Sequence, residues 1–261
     1  MTTKLKPFFS FFGGKWRVAR KYPVPRYGNI VEPFAGSAGF STRYPERDVV
    51  LVERDPKIAA TWRYLIGTSP GEILALPDIL PGQTVADLGV CQEAGWLIGW
   101  WINKGSAAPH LSPSSNMRKS LSGEQPKDPP SGWWGSAIRQ RLADQVQHIK
   151  HWKLLEGTCL DVAPDIEATW FIDPPYERAG KRYTYGAKTI SYSDLSDWCR
   201  TRTGQVMVCE NRGAEWMPFK PFLDIKAYEG SHGGADKGVH GGRVSKEVLW
   251  TNDEWMETVI I

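Results

Sequence analysis

The sequence predicts an α/β protein built on a doubly wound, mostly parallel sheet, and three observations lead there. Short apolar runs of strand length alternate with longer runs of helical periodicity, the order that lays parallel strands side by side with helical crossovers. Two early strand-like runs end on carboxylates, at the edge of the sheet where such folds bind ligands. A middle rich in Pro, Gly and Ser interrupts the alternation, which then resumes and closes on two runs that read as an antiparallel hairpin. The 261 residues suffice for one large domain, or for one domain carrying an insertion.

The first strand is NIVEPF (Asn29 to Phe34), which runs into the small-residue turn AGSAGF. DVVLVE (Asp48 to Glu53) is the second. PKIAATWRYLIG (Pro56 to Gly67) follows as a helix, with Asp55 as N-cap, Pro56 in its first turn and Gly67 as its stop. From Thr68 to Gly132 the chain reads as an insertion with one helix around Gln92 to Asn103 and a long loop from Asn103 onward. The expected division is therefore residues 1–67 and 133–261 as the main domain, with 68–132 inserted. Ile138, Leu142, Val146 and Ile149 then fall on one face of a helix over Ser136 to Trp152. KLLEG (Lys153 to Gly157) and the apolar run before Asp173 are strands. A helix near Ser193 to Arg202, capped by Ser193 or Asp194, precedes a strand over Gln205 to Asn211. FLDIKAYEG and SKEVLWTN form the terminal hairpin around a Gly-rich loop.

Composition excludes several classes. No run approaches the roughly 20 apolar residues of a membrane span, and the N-terminus lacks a signal-peptide core. The four cysteines lack CxxC spacing, which reads as reduced thiols in a cytoplasmic protein. His232 and His240 repeat the tripeptide HGG, yet no Cys or carboxylate pattern joins them, so no metal is expected. Seven Lys or Arg residues precede the first acid, Glu32. A second basic stretch, Arg178 to Lys188, interleaves Lys181, Arg182 and Lys188 with tyrosines. Such stretches are either solvated faces or contacts to a phosphate backbone and unstacked bases.

The chemistry lies at the strand ends. Glu32, followed by Gly36 and Gly39, sets a carboxylate where the backbone can approach a ligand; an acid there suits a cation better than a pyrophosphate. Glu53, about 20 residues on, stands where a ribose-hydroxyl acceptor is placed in nucleoside-binding sheets. TWFIDPPYER (Thr169 to Arg178) ends a buried strand on Asp173, two prolines and Tyr176. Asp173 and the Pro174 carbonyl can accept hydrogen bonds from an exocyclic amino group, which would localise its nitrogen lone pair. Pro174 and Pro175 fix the turn, so these acceptors stand ready before a substrate arrives. Tyr176 offers a ring on which an extruded base can stack.

FFGGKW (Phe11 to Trp16), EPFAGSAG (Glu32 to Gly39), LVERD (Leu51 to Asp55), LLEGTCLD (Leu154 to Asp161), DPPY (Asp173 to Tyr176) and the closing KEVLWTN occur in one order. In that ordered set the chain resembles the Dam-type (D12 class) DNA adenine-N6 methyltransferases, which use S-adenosyl-L-methionine. The resemblance implies a Rossmann-like catalytic domain, an inserted target-recognition region and transfer of a methyl group to the N6 amino group of a flipped-out adenine. It implies a cofactor site of Phe11, Lys15, Glu32, Phe34, Ala35, Gly36, Ser37, Glu53, Arg54, Cys159, Leu160, Asp161 and Asp173. Within it Lys15 and Glu32 would lie towards the methionine end, Glu53 at the ribose and Asp161 at the adenine amino group. Asp173, Pro174, Pro175 and Tyr176 would be the catalytic turn. Double-stranded DNA would be the partner of a monomer in the cytoplasm of a bacterial or phage-infected cell. Arg118, Lys119, Lys181, Arg182, Lys188 and Arg243 are the expected nucleic-acid contacts.

Two departures stand out. The family's turn reads Phe-x-Gly-x-Gly, whereas Ala38 holds the second glycine position here; and Phe11 replaces a Trp ahead of the Gly-Gly-Lys turn. The alternatives are the same fold acting on cytosine N4 or on RNA adenine, and a DNA-binding relative without turnover. A nicotinamide-linked dehydrogenase is disfavoured because the first turn lacks GxGxxG.

Overall fold

The computed structural model describes residues 4–122, 132–163, 165–178, 180, 183–226 and 244–253. Seven strands form one sheet: β1 (Asn29–Glu32), β2 (Asp48–Glu53), β3 (Lys153–Glu156), β4 (Glu167–Ile172), β5 (Thr203–Asn211), β6 (Lys220–Lys226) and β7 (Val244–Thr251). Their order across the sheet is β3-β2-β1-β4-β5-β7-β6. The first five pair in parallel, and β7 runs antiparallel to both of its neighbours. Chain order therefore reverses between β1 and β4, the switch point at which open α/β sheets leave a crevice.

Side-chain alternation explains why both faces are covered. In β1 and β2, Ile30, Val49 and Leu51 point to one face, and Val31 and Val52 to the other. The first face carries α1 (Pro56–Gly67), α3 (Gln92–Ile102) and α5 (Ser136–Val146); the second carries α6 (Tyr192–Arg200). Near-continuous apolar strands are what a parallel sheet buried on both sides requires.

Local chemistry sets the helix ends. The Asp55 carboxylate accepts from the Lys57 backbone N–H at 2.9 Å, and Pro56 occupies the first turn of α1. Helix α6 starts one residue earlier than expected and ends at Arg200, and its N-cap is neither Ser193 nor Asp194. Ser191 is the cap, its hydroxyl accepting from Asp194 N–H at 3.4 Å. The helix expected through Trp152 stops at Val146 and tightens into a 3-10 turn, Gln147–Ile149, a common way to satisfy the last carbonyls.

Two helices arise in the segment read mostly as loop. Helix α2 (Pro70–Ala75) starts at a capping box in which Ser69 and Glu72 exchange bonds, and α4 (Ser115–Leu121) is capped by Ser114. Both are too short to carry a hydrophobic period, and only the caps announced them. Ile73, Leu97, Trp100, Trp101 and Met117 of residues 68–132 belong to the same buried cluster as Phe8, Phe9 and Trp62. Trp100 and Trp101, like Trp134, are spent on the core and not on an exposed reading surface.

The N-terminal arm is pinned across this face. Gln145 of α5 accepts from Lys6 N–H at 2.8 Å and donates back to the Lys6 carbonyl at 3.1 Å, and the Trp101 indole donates to the Phe8 carbonyl at 2.9 Å. These bonds deliver Gly13, Gly14 and Lys15 to the ends of β1 and β4. For the α1 cap, Asp55→Ala should lower stability by about 1 kcal/mol in denaturant unfolding; no change would mean the cap contributes nothing.

Candidate functional site

A cavity of about 330 Å³ opens at the carboxyl ends of β1, β2 and β4. Its volume lies in the range of small-molecule sites. The expected residues Phe11, Lys15, Glu32, Phe34, Ala35, Gly36, Ser37, Glu53, Arg54, Cys159, Leu160 and Asp173 all line it. Asp161 does not. Its Oδ2 accepts from the backbone N–H and the hydroxyl of Thr158, at 2.7 and 2.9 Å, and caps the 3-10 turn Cys159–Asp161. Those two bonds hold its carboxyl below the usual carboxylate range.

The turn after β1 is fixed from three sides. Ala35 N–H donates to the Val52 carbonyl at 3.0 Å, the Trp62 indole donates to the Gly36 carbonyl at 2.7 Å, and Gly36 N–H donates to Glu53 at 3.0 Å. Gly36 has φ 46° and Ala38 φ 47°, so the alanine adopts the left-handed conformation that glycine takes freely. That strain costs roughly 1–2 kcal/mol. Gly39 serves differently: a Cβ there would lie 2.6 Å from Trp16 N and 2.9 Å from Lys15 N. Its lack of a side chain lets the Gly-Gly-Lys loop lie directly against the turn.

The two strand-end carboxylates, Glu32 buried and Glu53 half-buried, are held by backbone donors. Glu32 accepts from Ser41 N–H at 2.7 Å; burial nevertheless pushes its carboxyl up to about 8. Glu53 accepts from Gly36 N–H at 3.0 Å and Asp55 N–H at 2.8 Å, and burial pushes it up to about 7. Each Glu53 oxygen takes one backbone donor and can accept a second.

Asp173 follows β4 directly. Its Oδ2 accepts from Lys15 Nζ at 3.0 Å, and its Oδ1 lies 2.9 Å from the same ammonium. Oδ1 is buried, and that ammonium is its ion-pair partner. Burial raises the Asp173 carboxyl, Lys15 opposes that rise and Glu247 adds to it. Burial alone would lower the Lys15 pKa, yet Asp173 and Glu247 outweigh it and keep the ammonium charged well above the ordinary lysine range.

The rest of the tetrapeptide is braced on several sides. The Pro175 carbonyl accepts from the Tyr192 hydroxyl at 2.5 Å, and Glu210 accepts from Glu177 N–H at 3.0 Å. Pro175 lines the cavity, Pro174 is buried, and Tyr176 stands behind Lys15, whose Nζ lies 4.8 Å from its ring centroid. The Tyr176 hydroxyl donates to Glu247 at 3.3 Å. Tyr183, which the sequence reading did not single out, lines the cavity instead, its ring 5.9 Å from that of Phe11. Thr189, Ser191 and Asp194 also line it, and Arg54 packs over the Tyr185 ring at 4.7 Å. Glu247 was likewise passed over; its only signal was its place in KEVLWTN.

Of the expected nucleic-acid residues that are described, Arg118 and Lys119 lie apart from Lys188. Arg118 and Lys119 are exposed on α4 and line a separate cleft of about 540 Å³ with Gln83 and Thr84. Arg118 donates to the Pro113 carbonyl at 2.7 Å. Lys188 is exposed beside Thr189 at the cavity mouth. Lys181, Arg182 and Arg243 lie outside the described residues, as do His232 and His240. Among the described residues no helix is long and apolar enough to cross a membrane, and no group of three metal-ligating side chains occurs. No protein-family model matches the chain, and no curated protein sequence matches it significantly.

The raised carboxyls link stability to pH. Glu32 and Glu53 hold protons in the folded state that an unfolded carboxyl releases near 4.5, so their contribution is complete below that value and is lost as pH rises through about 7 and 8. Thermal unfolding should show Tm falling between about pH 4.5 and about 8, with a shallower fall in Glu32→Gln. A Tm that rises there would contradict the assignment.

Proposed function

We propose that the protein is an S-adenosylmethionine-dependent DNA methyltransferase acting on the N6 amino group of adenine, as its resemblance to the Dam-type enzymes implies. The observation that carries this reading is the Asp173-Pro174-Pro175-Tyr176 turn, which follows β4 and holds a half-buried carboxylate against Lys15 at the wall of the cavity. The charge balance supports it. Glu32, Glu53 and Asp173 line the cavity, and Asp173 and Glu247 flank the Lys15 ammonium, a surplus of acid that favours a cationic ligand over a phosphate.

The residues present suit that cofactor. Glu32 would meet its ammonium, Glu53 has acceptor capacity left for ribose hydroxyls, and the apolar walls from Phe34, Cys159 and Leu160 would enclose the rest. Bound there, S-adenosylmethionine supplies an electrophilic methyl group. Asp173 Oδ1, which keeps acceptor capacity beside the Lys15 ammonium, and the Pro174 carbonyl would accept the two N–H groups of the target amine and turn its lone pair outward. Tyr176, steadied by Glu247 and packed against Lys15, would brace the turn, and Tyr183, which lines the cavity, would offer the stacking ring.

Incubation of the protein with labelled S-adenosylmethionine and separate DNA and RNA pools, followed by mapping of modified positions, should place the label on adenine N6 in double-stranded DNA. Label on cytosine, or only in RNA, would overturn the reading in favour of its alternatives. Asp173→Ala should lower turnover by at least about 100-fold while equilibrium dialysis shows cofactor binding largely retained. Near wild-type methylation by that variant would remove Asp173 from the chemistry.

A further inference from the structure

Glu247 lies on β7, two strands away from β4, yet its carboxylate reaches the catalytic turn. It is 6 % exposed. One oxygen accepts from the Tyr22 hydroxyl at 2.7 Å; the other accepts from the Tyr176 hydroxyl at 3.3 Å and lies 3.6 Å from Lys15 Nζ. Lys15 thus has two counterions, Asp173 on the cavity side and Glu247 behind it. A pairing with Asp173 alone would need no second carboxylate, and burying one carries a large desolvation cost.

We infer that Glu247 is a positioning residue that keeps Lys15 charged and in place, and Tyr176 oriented, while Asp173 takes up the proton released by the target amine. This rests on the methyltransferase reading above. The amino nitrogen gives its lone pair to the methyl carbon as the carbon–sulfur pair leaves with sulfur. One N–H bond then breaks, its pair remains on nitrogen, and the proton bonds to Asp173 Oδ1. The sulfonium charge and the Asp173 charge disappear together, so total charge is conserved. With Asp173 neutral, Lys15 would lose its nearest counterion in a buried site, and Glu247 supplies the remaining one. The other titratable groups that face Lys15 are Tyr176, Cys209 and Tyr183, and burial raises all three, so none offers a counterion.

The test is Glu247→Gln, which keeps the shape and removes the charge. Single-turnover methyl transfer should slow about 100-fold, with S-adenosylmethionine affinity by equilibrium dialysis changed by less than about threefold, because Glu247 does not line the cavity. The Nζ resonance of Lys15, followed by nitrogen NMR and assigned with Lys15→Arg, should lose its proton at lower pH than in the wild type. An unchanged transfer rate, equal losses in rate and affinity, or an unmoved Lys15 titration would overturn the inference. If the wild-type protein methylates no nucleic acid, the functional reading fails. The Lys15 titration then still decides whether Glu247 holds that charge. Should Glu247→Gln not fold, Glu247→Asp draws the charge back by one methylene and should slow transfer about tenfold.

Discussion

One buried ammonium organises this protein. Lys15 is almost fully enclosed, and it lies within 3.0 Å of both oxygens of Asp173 and 3.6 Å from Glu247. Removing one partner from such a buried pair costs roughly 3–5 kcal/mol, because the charge left behind has no water to turn to. The cluster joins three distant parts of the chain: the N-terminal loop, the end of β4 and the last strand. None of these can move independently without exposing or stranding a charge.

Much of the surrounding architecture serves that placement. The parallel strands end together at the β1–β4 switch point, so Glu32, Glu53 and Asp173 converge there although they lie far apart in sequence. Gly39 permits the N-terminal loop to approach, and Gln145 and Trp101 hold the arm that leads to it. The antiparallel hairpin brings Glu247 in from the opposite edge. Residues 68–132 extend the core beneath this arm, and their tryptophans fill it.

The acidic surplus gives the site its chemical character. Carboxylates buried with backbone donors, raised towards neutrality in Glu32 and Glu53, are costly unless a cation arrives to share them. Oδ1 of Asp173, paired with the Lys15 ammonium at 2.9 Å, keeps acceptor capacity for a donor on a ligand.

Local sequence determined a good deal. β2 and α1 occupy the spans their residues predicted, because an alternating β-branched run and a capped, proline-started helix are decided by neighbours in the chain. The same holds for the carboxylates at strand ends, fixed by where each apolar run stops. Short helices such as α2 and α4 escaped because a single turn or two cannot display a period. Tertiary structure alone decided that Asp161 turns back to Thr158, that Tyr183 and not Tyr176 lines the cavity, and that Glu247 meets Lys15. Those choices depend on which charges are driven out of water together. That is settled by strand order and packing across the whole chain, which no short stretch of residues encodes.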